Sequence, residues 1–415
     1  MSSDVGAAAV FNPQTLSSPY ALWARLRAES PLQRIDIPGI QRPVYLVSRR
    51  ADVQQVAGDP QTFASVVPSE VWRWGDLGPV LQPHLLAQGW PIVHTIASAD
   101  PPLHARYRKL VGPMFLPSKV KLLVEKLQAS IDELLQQLPR GERFDFMDKF
   151  AIPLPIMMIG DMLGLPREDR ELVRRYTDTF VRMVDPSTPH DEALKAVTLF
   201  AEGQHYMARR IERLVREPDD SVLSDVANAR DDAGRLLSIE ERLSLGYMLM
   251  AAGNETTRNA LSLSAYYLAT QPELWRTLKN DRDKVGQFID EALRVGTPAV
   301  LNPRFVTRDT ELAGQLIPGG AIVFVLWGSA NRDESTFADA DQIRLDRANT
   351  RSHMAFGFGI HSCVGAPLAR QELNLSVHSW LNQFESMSLA VPRETVQHAP
   401  LFAFRTFPEL PLIVR

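Results

Sequence analysis

The stretch FGFGIHSCVG, residues 356–365, contains Cys363, which is the only cysteine in a chain of 415 residues. A free cysteine can pack in a core as a small apolar residue, bind a metal ion, or act as a nucleophile. Glycines on both sides of Cys363 allow the backbone to turn sharply and a flat ligand to approach closely. The stretch therefore favours a functional sulfur over a buried one.

Cys363 comes directly before a predicted helix, where unpaired N–H groups and the helix dipole favour the thiolate form. A lone thiolate lacks the further cysteine or histidine ligands of a zinc site. Two interpretations remain at this point. The sulfur is either a nucleophile or one axial ligand of a metal whose other positions are filled by a macrocycle, as in a cysteine-ligated heme.

Composition and charge narrow the class of protein. The chain has 45 Lys+Arg and 49 Asp+Glu residues and a net charge of -4, which gives no indication of a nucleic-acid partner. The first residues, MSSDVGAAAVFNPQ, lack the basic start and apolar run of a signal peptide. No segment approaches the ~20 apolar residues of a membrane span. We expect a cytoplasmic protein with no membrane anchor and no nucleic-acid partner.

Helical periodicity dominates the middle of the sequence, since apolar residues recur at three and four positions from about residue 103 to residue 268. The clearest predicted helix is Ser238–Thr270, with a capping box formed by Ser238 and Glu241. Further helices are expected over Lys284–Val295 and from near Cys363 onward. A helix as long as residues 238–270 predicts an element that crosses the whole core.

Strand-like patterns are short. Residues 31–47 predict a β-hairpin around Pro38-Gly39, and RFVTR, QLIPGG and AIVFVLW predict further strands. Composition changes little along the chain, and no linker or repeat is evident. We expect a mainly α fold with small β-sheets, organised as a single catalytic domain over residues 1–415.

The residues around Cys363 resemble the heme-binding signature of the bacterial soluble cytochrome P450 family. The matching residues are Phe356, Gly359, His361, Cys363, Gly365, Leu368, Ala369, Arg370 and Glu372. The resemblance implies the cytochrome P450 fold, with its long central helix beside heme b, and Cys363 as the axial ligand of the heme iron. It also implies that Phe356 shields the sulfur and that Gly365 belongs to the cofactor-binding loop.

A second segment, AAGNETT (residues 251–257), lies in the long predicted helix. A threonine hydroxyl can bond to the carbonyl four residues earlier, or release it and donate to a bound species. Ala252 and Gly253 would thin the helix where a ligand presses against it. The segment resembles the oxygen-activation segment of the family, which implies catalytic roles for Thr256 and Glu255.

The sequence EALR places Glu291 and Arg294 on one helix face. The pair resembles the Glu-x-x-Arg motif of the family, whose third partner would be Arg347. The family usually has Phe and Pro where this chain has Ile343 and Leu345, so the packing of this loop departs from the family pattern. The resemblance implies a folding role for the three charged residues.

Basic residues elsewhere in the chain match the family positions that bind the heme propionates. Arginine donates strong hydrogen bonds to carboxylates, and a buried anion requires such a partner. The residues that the resemblance assigns to this role are His104, Arg108, Arg304 and His361.

Position relative to these motifs predicts a mainly apolar substrate pocket. Its expected lining is Met248, Ala251, Ala252, Val300, Leu301, Asn302, Leu401 and Phe402. Asn302 would bond either a propionate or a substrate oxygen. The segment from Phe63 to His94, with Trp72, Trp74 and Trp90, is expected to form a flexible lid. This lining predicts a hydrophobic small-molecule substrate.

The resemblance implies a monooxygenase that inserts one oxygen atom from O2 into a substrate by hydroxylation or epoxidation. Because no flavin or iron–sulfur domain is evident in the chain, electrons would come from a separate ferredoxin or flavodoxin-type donor with its NAD(P)H reductase. Arg106, Lys109 and Arg370 are candidates for its docking face. The alternatives are a peroxide-driven peroxygenase, a non-catalytic heme-binding sensor and a cysteine-nucleophile hydrolase.

Overall fold

The protein is mainly helical, and its computed structural model describes residues 6–37, 40–67, 74–184 and 189–415. The α-helices are α1 (Ala7–Val10), α2 (Pro13–Ser17), α3 (Tyr20–Glu29), α4 (Arg50–Gly58), α5 (Trp74–Leu86), α6 (Leu103–Val111), α7 (Pro117–Gln136), α8 (Pro153–Leu163), α9 (Arg170–Val184), α10 (His190–Arg216), α11 (Val222–Ala227), α12 (Ile239–Thr270), α13 (Pro272–Asn280), α14 (Val285–Gly296), α15 (Trp327–Ala330) and α16 (Ala366–Gln383). The strands are β1 (Leu32–Ile35), β2 (Val44–Val47), β3 (Phe63–Ala64), β4 (Phe144–Asp145), β5 (Leu301–Val306), β6 (Thr310–Leu312), β7 (Gln315–Ile317), β8 (Ile322–Leu326), β9 (Met387–Leu389) and β10 (Pro411–Val414).

Helix α12 has 32 residues and is therefore roughly 48 Å long. It begins at the predicted capping box: Glu241 N donates to Ser238 Oγ (3.2 Å), and Ser238 N donates to Glu241 Oε2 (2.9 Å). It ends at Thr270, because Pro272 occupies the first turn of the next helix. The long central helix predicted from the sequence is confirmed.

Helix α12 is buried on nearly all sides, because helices α8, α10, α14 and α16 pack around it. Polar residues within its buried length bond to the helix itself. Ser264 Oγ, for example, donates to the carbonyl of Ala260 (2.8 Å), which satisfies a hydroxyl that burial would otherwise leave unpaired. The main hydrophobic core is therefore arranged around this one helix.

A five-stranded sheet with the order β1-β2-β8-β5-β3 lies beside the helices. Strands β1 and β2 pair antiparallel, as the predicted hairpin requires, whereas Pro38-Gly39 lie outside the described residues. Strand β5 pairs antiparallel with β8, so that Arg304 lies opposite Val323. This register fixes the backbone of Arg304 on a central strand.

A buried ion cluster joins α14 to the loop that precedes the cysteine stretch. Glu291 and Arg294 are both 0% exposed and pair at 2.7 Å, and Arg347 Nε lies 3.1 Å from Glu291 Oε1. Arg294 also donates to the carbonyls of Asn331 and Ala340. Burial raises the pKa of Glu291, but the hydrogen bond and charge of Arg294 outweigh this effect and hold it below its usual range.

The loop around Arg347 accommodates the two residues that depart from the family pattern. Ile343 and Leu345 are partly buried and pack against the main hydrophobic core. The backbone N–H of Arg344 donates to Glu291 Oε2 (2.9 Å), so the carboxylate also orders this loop.

Within the described residues, helices that are long enough to cross a bilayer are too polar to do so.

The substitution Glu291→Gln is expected to lower the free energy of unfolding by about 3–5 kcal/mol, because it leaves two buried guanidinium groups without their counter-charge. Denaturant titration followed by circular dichroism measures this loss. Glu273→Gln is the matched control, since Glu273 forms the same i,i+3 pair with Arg276 at an exposed site. It is expected to cost less than about 1 kcal/mol. Equal losses in the two variants would contradict a folding role for the buried cluster.

Candidate active site

The loop around Cys363 closes on itself through one backbone hydrogen bond, from Cys363 N to Phe356 O (2.8 Å). Gly357 and Gly359 both have φ of 73°, a conformation that other residues rarely adopt. A Cβ atom at Gly359 would also overlap the carbonyl oxygen of Ala57. The loop therefore requires glycine at residue 359, and it leads into α16 three residues after the cysteine.

The Cys363 side chain is exposed, although protein atoms surround the thiol deeply enough to exclude most bulk solvent. The sulfur is therefore accessible and yet surrounded by protein on most sides. Burial raises the pKa of Cys363, and the N–H of Gly365 and the charge of Arg108 only partly oppose this effect. The sequence-based expectation of a lowered pKa is therefore wrong, because desolvation outweighs the helix N-terminus.

A thiol with a raised pKa is a poor nucleophile but binds a metal ion well, because coordination itself removes the proton. The residue nearest in sequence that could act as a base is His361. Burial and the charge of Arg304 lower the pKa of His361 to about 3, so it accepts a proton poorly. These two pKa shifts count against the hydrolase interpretation.

Basic side chains from three parts of the chain meet beside the cysteine loop. The rings of His104 and His361 lie 4.3 Å apart, the charge of Arg108 acts on both, and the charge of Arg304 acts on His361. His104 and Arg304 are 3% and 8% exposed. Burial lowers the pKa of the Arg304 guanidinium to about 10. The structure thus brings together all the residues predicted to bind propionates.

Nitrogen atoms in this basic cluster are left without partners. His104 Nε2 and both ring nitrogens of His361 are buried and form no hydrogen bond of good geometry, although the carbonyl of Ile96 lies near enough to raise the pKa of His361. Arg108 Nη1 donates to the carbonyl of Ser362 (2.6 Å) and so also supports the cysteine loop. Buried unpaired nitrogens next to arginines are suited to bind an anion.

On α12, Thr256 Oγ1 donates to the carbonyl of Ala252 (2.8 Å), and both residues have solvent-accessible side chains within an otherwise buried stretch. Gly253 does not thin the helix toward a ligand, because a Cβ there would lie 2.6 Å from Ile159 Cδ1 on α8. Its small size serves helix packing. Ala252 is the small residue of this segment that is exposed.

Glu255 lies on a different face of α12 from Thr256 and is 5% exposed. It forms an ion pair with Arg258 and accepts a hydrogen bond from Asn259 Nδ2 (3.1 Å). Arg258 Nη1 in turn lies 3.7 Å from Asp178 Oδ1 on α9. When only side-chain atoms are counted, the exposed fraction rises from 7% at Glu255 to 18% at Arg258 and 33% at Asp178. The ion pairs therefore connect the buried acid to the surface.

The predicted pocket residues fall into two groups. Met248 and Ala251 lie on α12 with Ala252, whereas Val300 is buried against the N-terminal segment. Val300, Leu301, Leu401 and Phe402 line an apolar cleft together with residues of α2 and α3, and none of the α12 residues contributes to that cleft. Phe402 stacks on Phe11 with ring centroids 4.8 Å apart.

Asn302 has a partner that the sequence did not indicate. Its Oδ1 accepts a hydrogen bond from the indole Nε1 of Trp327 (2.8 Å). That oxygen is therefore engaged within the protein, whereas the expected bond to a propionate or a substrate oxygen would come from the amide nitrogen and stays a prediction. No sequence signal connects these two residues, because the pairing depends on the β5–β8 register.

All three predicted docking cations have acidic partners within the protein. Arg106 pairs with Glu241, and Arg370 Nε donates to Asp290 Oδ1 (3.1 Å) while its guanidinium lies 4.5 Å from the centre of the Phe356 ring. Lys109 Nζ lies 3.9 Å from Asp232 Oδ1, and 82% of the Lys109 side chain is exposed. In the predicted lid, Trp72 lies outside the described residues, as does the side chain of Trp74.

Comparison with known proteins agrees with this geometry. The family model for cytochrome P450 matches residues 173–406. The chain is 34% identical to the cytochrome P450 monooxygenase PikC of Streptomyces venezuelae, over 92% of this chain and 87% of that protein. It is 31% identical to the mycinamicin IV hydroxylase/epoxidase of Micromonospora griseorubida, over 94% of each. The solved structure of CxnD, a cytochrome P450 enzyme for C–S bond formation, superposes with a TM-score of 0.86 at 28% identity, covering 99% of this chain and 97% of that one.

A heme-thiolate monooxygenase is the class of protein that this fold defines, and the chain belongs to the cytochrome P450 family. Its cofactor is heme, iron protoporphyrin IX. The residues present fit that group. The Cys363 sulfur is accessible, and unpaired buried nitrogens of His104 and His361 lie beside its loop, where carboxylates can bind.

One buried acid of the signature lies away from the sulfur. Glu372 on α16 is 3% exposed, its Oε1 has no hydrogen-bond partner, and burial raises its pKa to about 8. Between its unfolded pKa of about 4.3 and this value, the unfolded chain ionises while the folded protein keeps the proton. Glu372 therefore reduces stability progressively as the pH rises across this window.

Glu372→Gln is expected to remove the loss of stability that the buried acid causes at higher pH. The variant therefore gains stability relative to the natural chain as the pH is raised from 5 to 8. The gain is on the order of 3 kcal/mol, because the amide cannot ionise. Urea denaturation at several pH values measures the difference. Glu125→Gln, at an exposed position of α7, is the control and should show no such pH dependence. If the difference in free energy of unfolding between Glu372→Gln and the natural chain does not change with pH, the result would contradict a raised pKa of Glu372.

Proposed function

We propose that this P450 monooxygenase inserts one oxygen atom from O2 into a hydrophobic small molecule, by hydroxylation or epoxidation, with Cys363 as the ligand of the heme iron. The observation that carries the proposal is the accessible Cys363 sulfur, with the N–H groups of Gly365 and Ala366 directed at it. Helix α12 and the sheet contribute to one fold around this site, so we also propose one catalytic domain.

Each part of the loop has a proposed role toward heme, which supplies oxygen activation and electron transfer when bound. Cys363 would bind the iron, and the two N–H groups would moderate the charge of its sulfur. Phe356 would cover the sulfur, because the Cys363–Phe356 backbone bond holds the two residues together. The basic cluster of His104, Arg108, Arg304 and His361 would pair with the propionates.

Proton supply is assigned to Thr256 and Glu255. Thr256 Oγ1 now donates to Ala252 O, and by releasing that carbonyl the hydroxyl can donate its proton into the cavity. Glu255 would replace the proton. Because an arginine keeps its proton and cannot pass one on, Glu255 would first have to release Arg258 before it could take up a proton from solvent.

The substrate class rests on the apolar side chains of α12 and on the relatives. Met248, Ala251 and Ala252 provide an apolar surface on the helix that carries Thr256. The names of the relatives describe a hydroxylase/epoxidase and a monooxygenase, both of which act by oxygen insertion. These observations support a hydrophobic organic substrate.

P450 monooxygenases of this family receive electrons from a redox partner, and we propose a ferredoxin or flavodoxin-type carrier with an NAD(P)H reductase. Support comes from exposed residues close to the cysteine in sequence. Phe358 and Ile360 are exposed apolar side chains, and Arg351 is 88% exposed. With Lys109 they offer an acidic carrier an apolar contact with a basic rim.

Cys363→Ser is expected to abolish the strongly red-shifted absorption band that a thiolate-ligated heme gives after reduction and exposure to carbon monoxide. The hydroxyl does not supply the thiolate charge that produces this band. Absorption spectra of the purified proteins measure the change. Ser362→Ala, one residue away, should keep the band. Its persistence in Cys363→Ser would mean that the sulfur does not bind the iron.

Thr256→Ala is expected to retain heme and ligand binding but to divert reducing equivalents to hydrogen peroxide, by about a factor of ten relative to the natural chain. Peroxide formed per NAD(P)H consumed, with a surrogate ferredoxin and reductase, measures the diversion. Thr270→Ala is the matched control, because Thr270 makes the same bond to a carbonyl four residues earlier (2.7 Å) at the end of α12. Unchanged coupling in Thr256→Ala would remove the proton role and favour the peroxygenase alternative.

A further inference from the structure

The segment Gln88–Ile96, which we call the strap, is tied to α10 by a buried glutamine. Gln204 is 2% exposed and makes two hydrogen bonds to one residue of the strap. Its Oε1 accepts from Trp90 N (2.9 Å), and its Nε2 donates to Trp90 O (2.9 Å). The side-chain amide thus pairs with the backbone of Trp90 as a neighbouring strand would.

Gly89 makes this close approach possible. A Cβ atom at residue 89 would overlap Gln204 Oε1 and would lie 3.3 Å from the Cβ of Ala201 on the same helix. Only glycine lets the strap backbone come this near to α10. The lack of a side chain at Gly89 is therefore what allows the amide of Gln204 to reach the backbone of Trp90.

Further bonds attach the strap on both sides of Trp90. The carbonyl of Gln88 lies 2.7 Å from His205 Nε2, and the rings of Trp90 and His205 lie 4.8 Å apart. Val93 N donates to Ser244 Oγ on α12 (3.1 Å). The strap is thereby fixed to two helices that are far apart in sequence.

The far end of the strap reaches the basic cluster, since the carbonyl of Ile96 lies near the ring of His361. The strap therefore runs from α10 past α12 to the cysteine loop. Ser244 precedes Ala252 and Thr256 on α12, and His361 is two residues from Cys363. Hydrogen bonds thus attach residues 88–93 of the expected lid to α10 and α12, and the flexibility of the lid stays a prediction.

We propose that Gln204 is a positioning residue, which holds the strap between α10, α12 and the cysteine loop and so limits the size of ligand that reaches the heme. The inference rests on the proposed function of Cys363. Helix α5 is attached to the same helix, because His84 Nε2 lies 3.0 Å from Thr198 Oγ1. Movement of the strap away from the cysteine loop therefore requires either that the Gln204–Trp90 bonds break or that α10 moves together with the strap.

The first test is hydrogen exchange of the holoenzyme. Gln204→Leu keeps the side-chain size but removes both bonds, and amides of residues 88–96 are expected to exchange at least tenfold faster. Gln136→Leu, at an exposed position of α7, is the matched control and should leave the strap protected. Unchanged exchange in Gln204→Leu would show that this glutamine does not hold the strap.

The second test compares two heme ligands of different size, imidazole and 4-phenylimidazole, by stopped-flow absorption. Gln204→Leu is expected to bind 4-phenylimidazole at least tenfold faster and imidazole within twofold of the natural rate. A structural defect of the site would change the binding rates of both ligands alike. Equal changes in the two rates, or no change in either, would overturn the proposal.

Two partial variants keep the proposal testable if Gln204→Leu does not fold. Gln204→Glu retains an acceptor for Trp90 N but loses the donor, and Ser244→Ala removes only the bond to α12. Both variants are expected to increase the binding rate of 4-phenylimidazole by less than Gln204→Leu does. Binding rates equal to that of the natural chain in both variants would contradict the proposed role of the strap. A natural chain that binds no heme would instead overturn the proposed function, before either ligand is tested.

Discussion

The position of the Cys363 sulfur depends on the close passage of two backbone segments. Gly359 lies against the carbonyl of Ala57, where a Cβ atom does not fit, and its φ of 73° excludes most other residues. The bond from Cys363 N to Phe356 O then closes the loop. Sterics at one glycine thus fix the course of the loop that carries the sulfur.

Burial, more than local charge, sets the protonation of the groups around this sulfur. Desolvation raises the pKa of Cys363 and lowers the pKa of His361, so both groups favour their neutral forms. Such groups suit a site that acquires charge only when a cofactor binds. A metal cation bound to the sulfur would favour the thiolate, and carboxylates beside the histidines would favour their protonated forms.

The ion pairs of the fold serve different purposes according to their burial. The cluster of Glu291, Arg294 and Arg347 is closed, because backbone carbonyls satisfy most of the remaining guanidinium donors. The chain from Glu255 to Asp178 is instead graded in exposure and reaches the surface. The first arrangement orders the loop before the cysteine, whereas the second connects the buried acid of α12 to the surface.

Local patterns in the sequence determined the family, the long helix with its capping box, and the main residues of the candidate site. These features depend on short-range chemistry, such as the Ser238–Glu241 cap and the glycines around Cys363, which are readable from neighbouring residues. Only the tertiary structure decided that Asn302 bonds Trp327, that Arg370 bonds Asp290, and that Gln204 holds Trp90. These partners are distant in sequence, and which polar groups meet is set by strand register and helix packing, which no local pattern encodes.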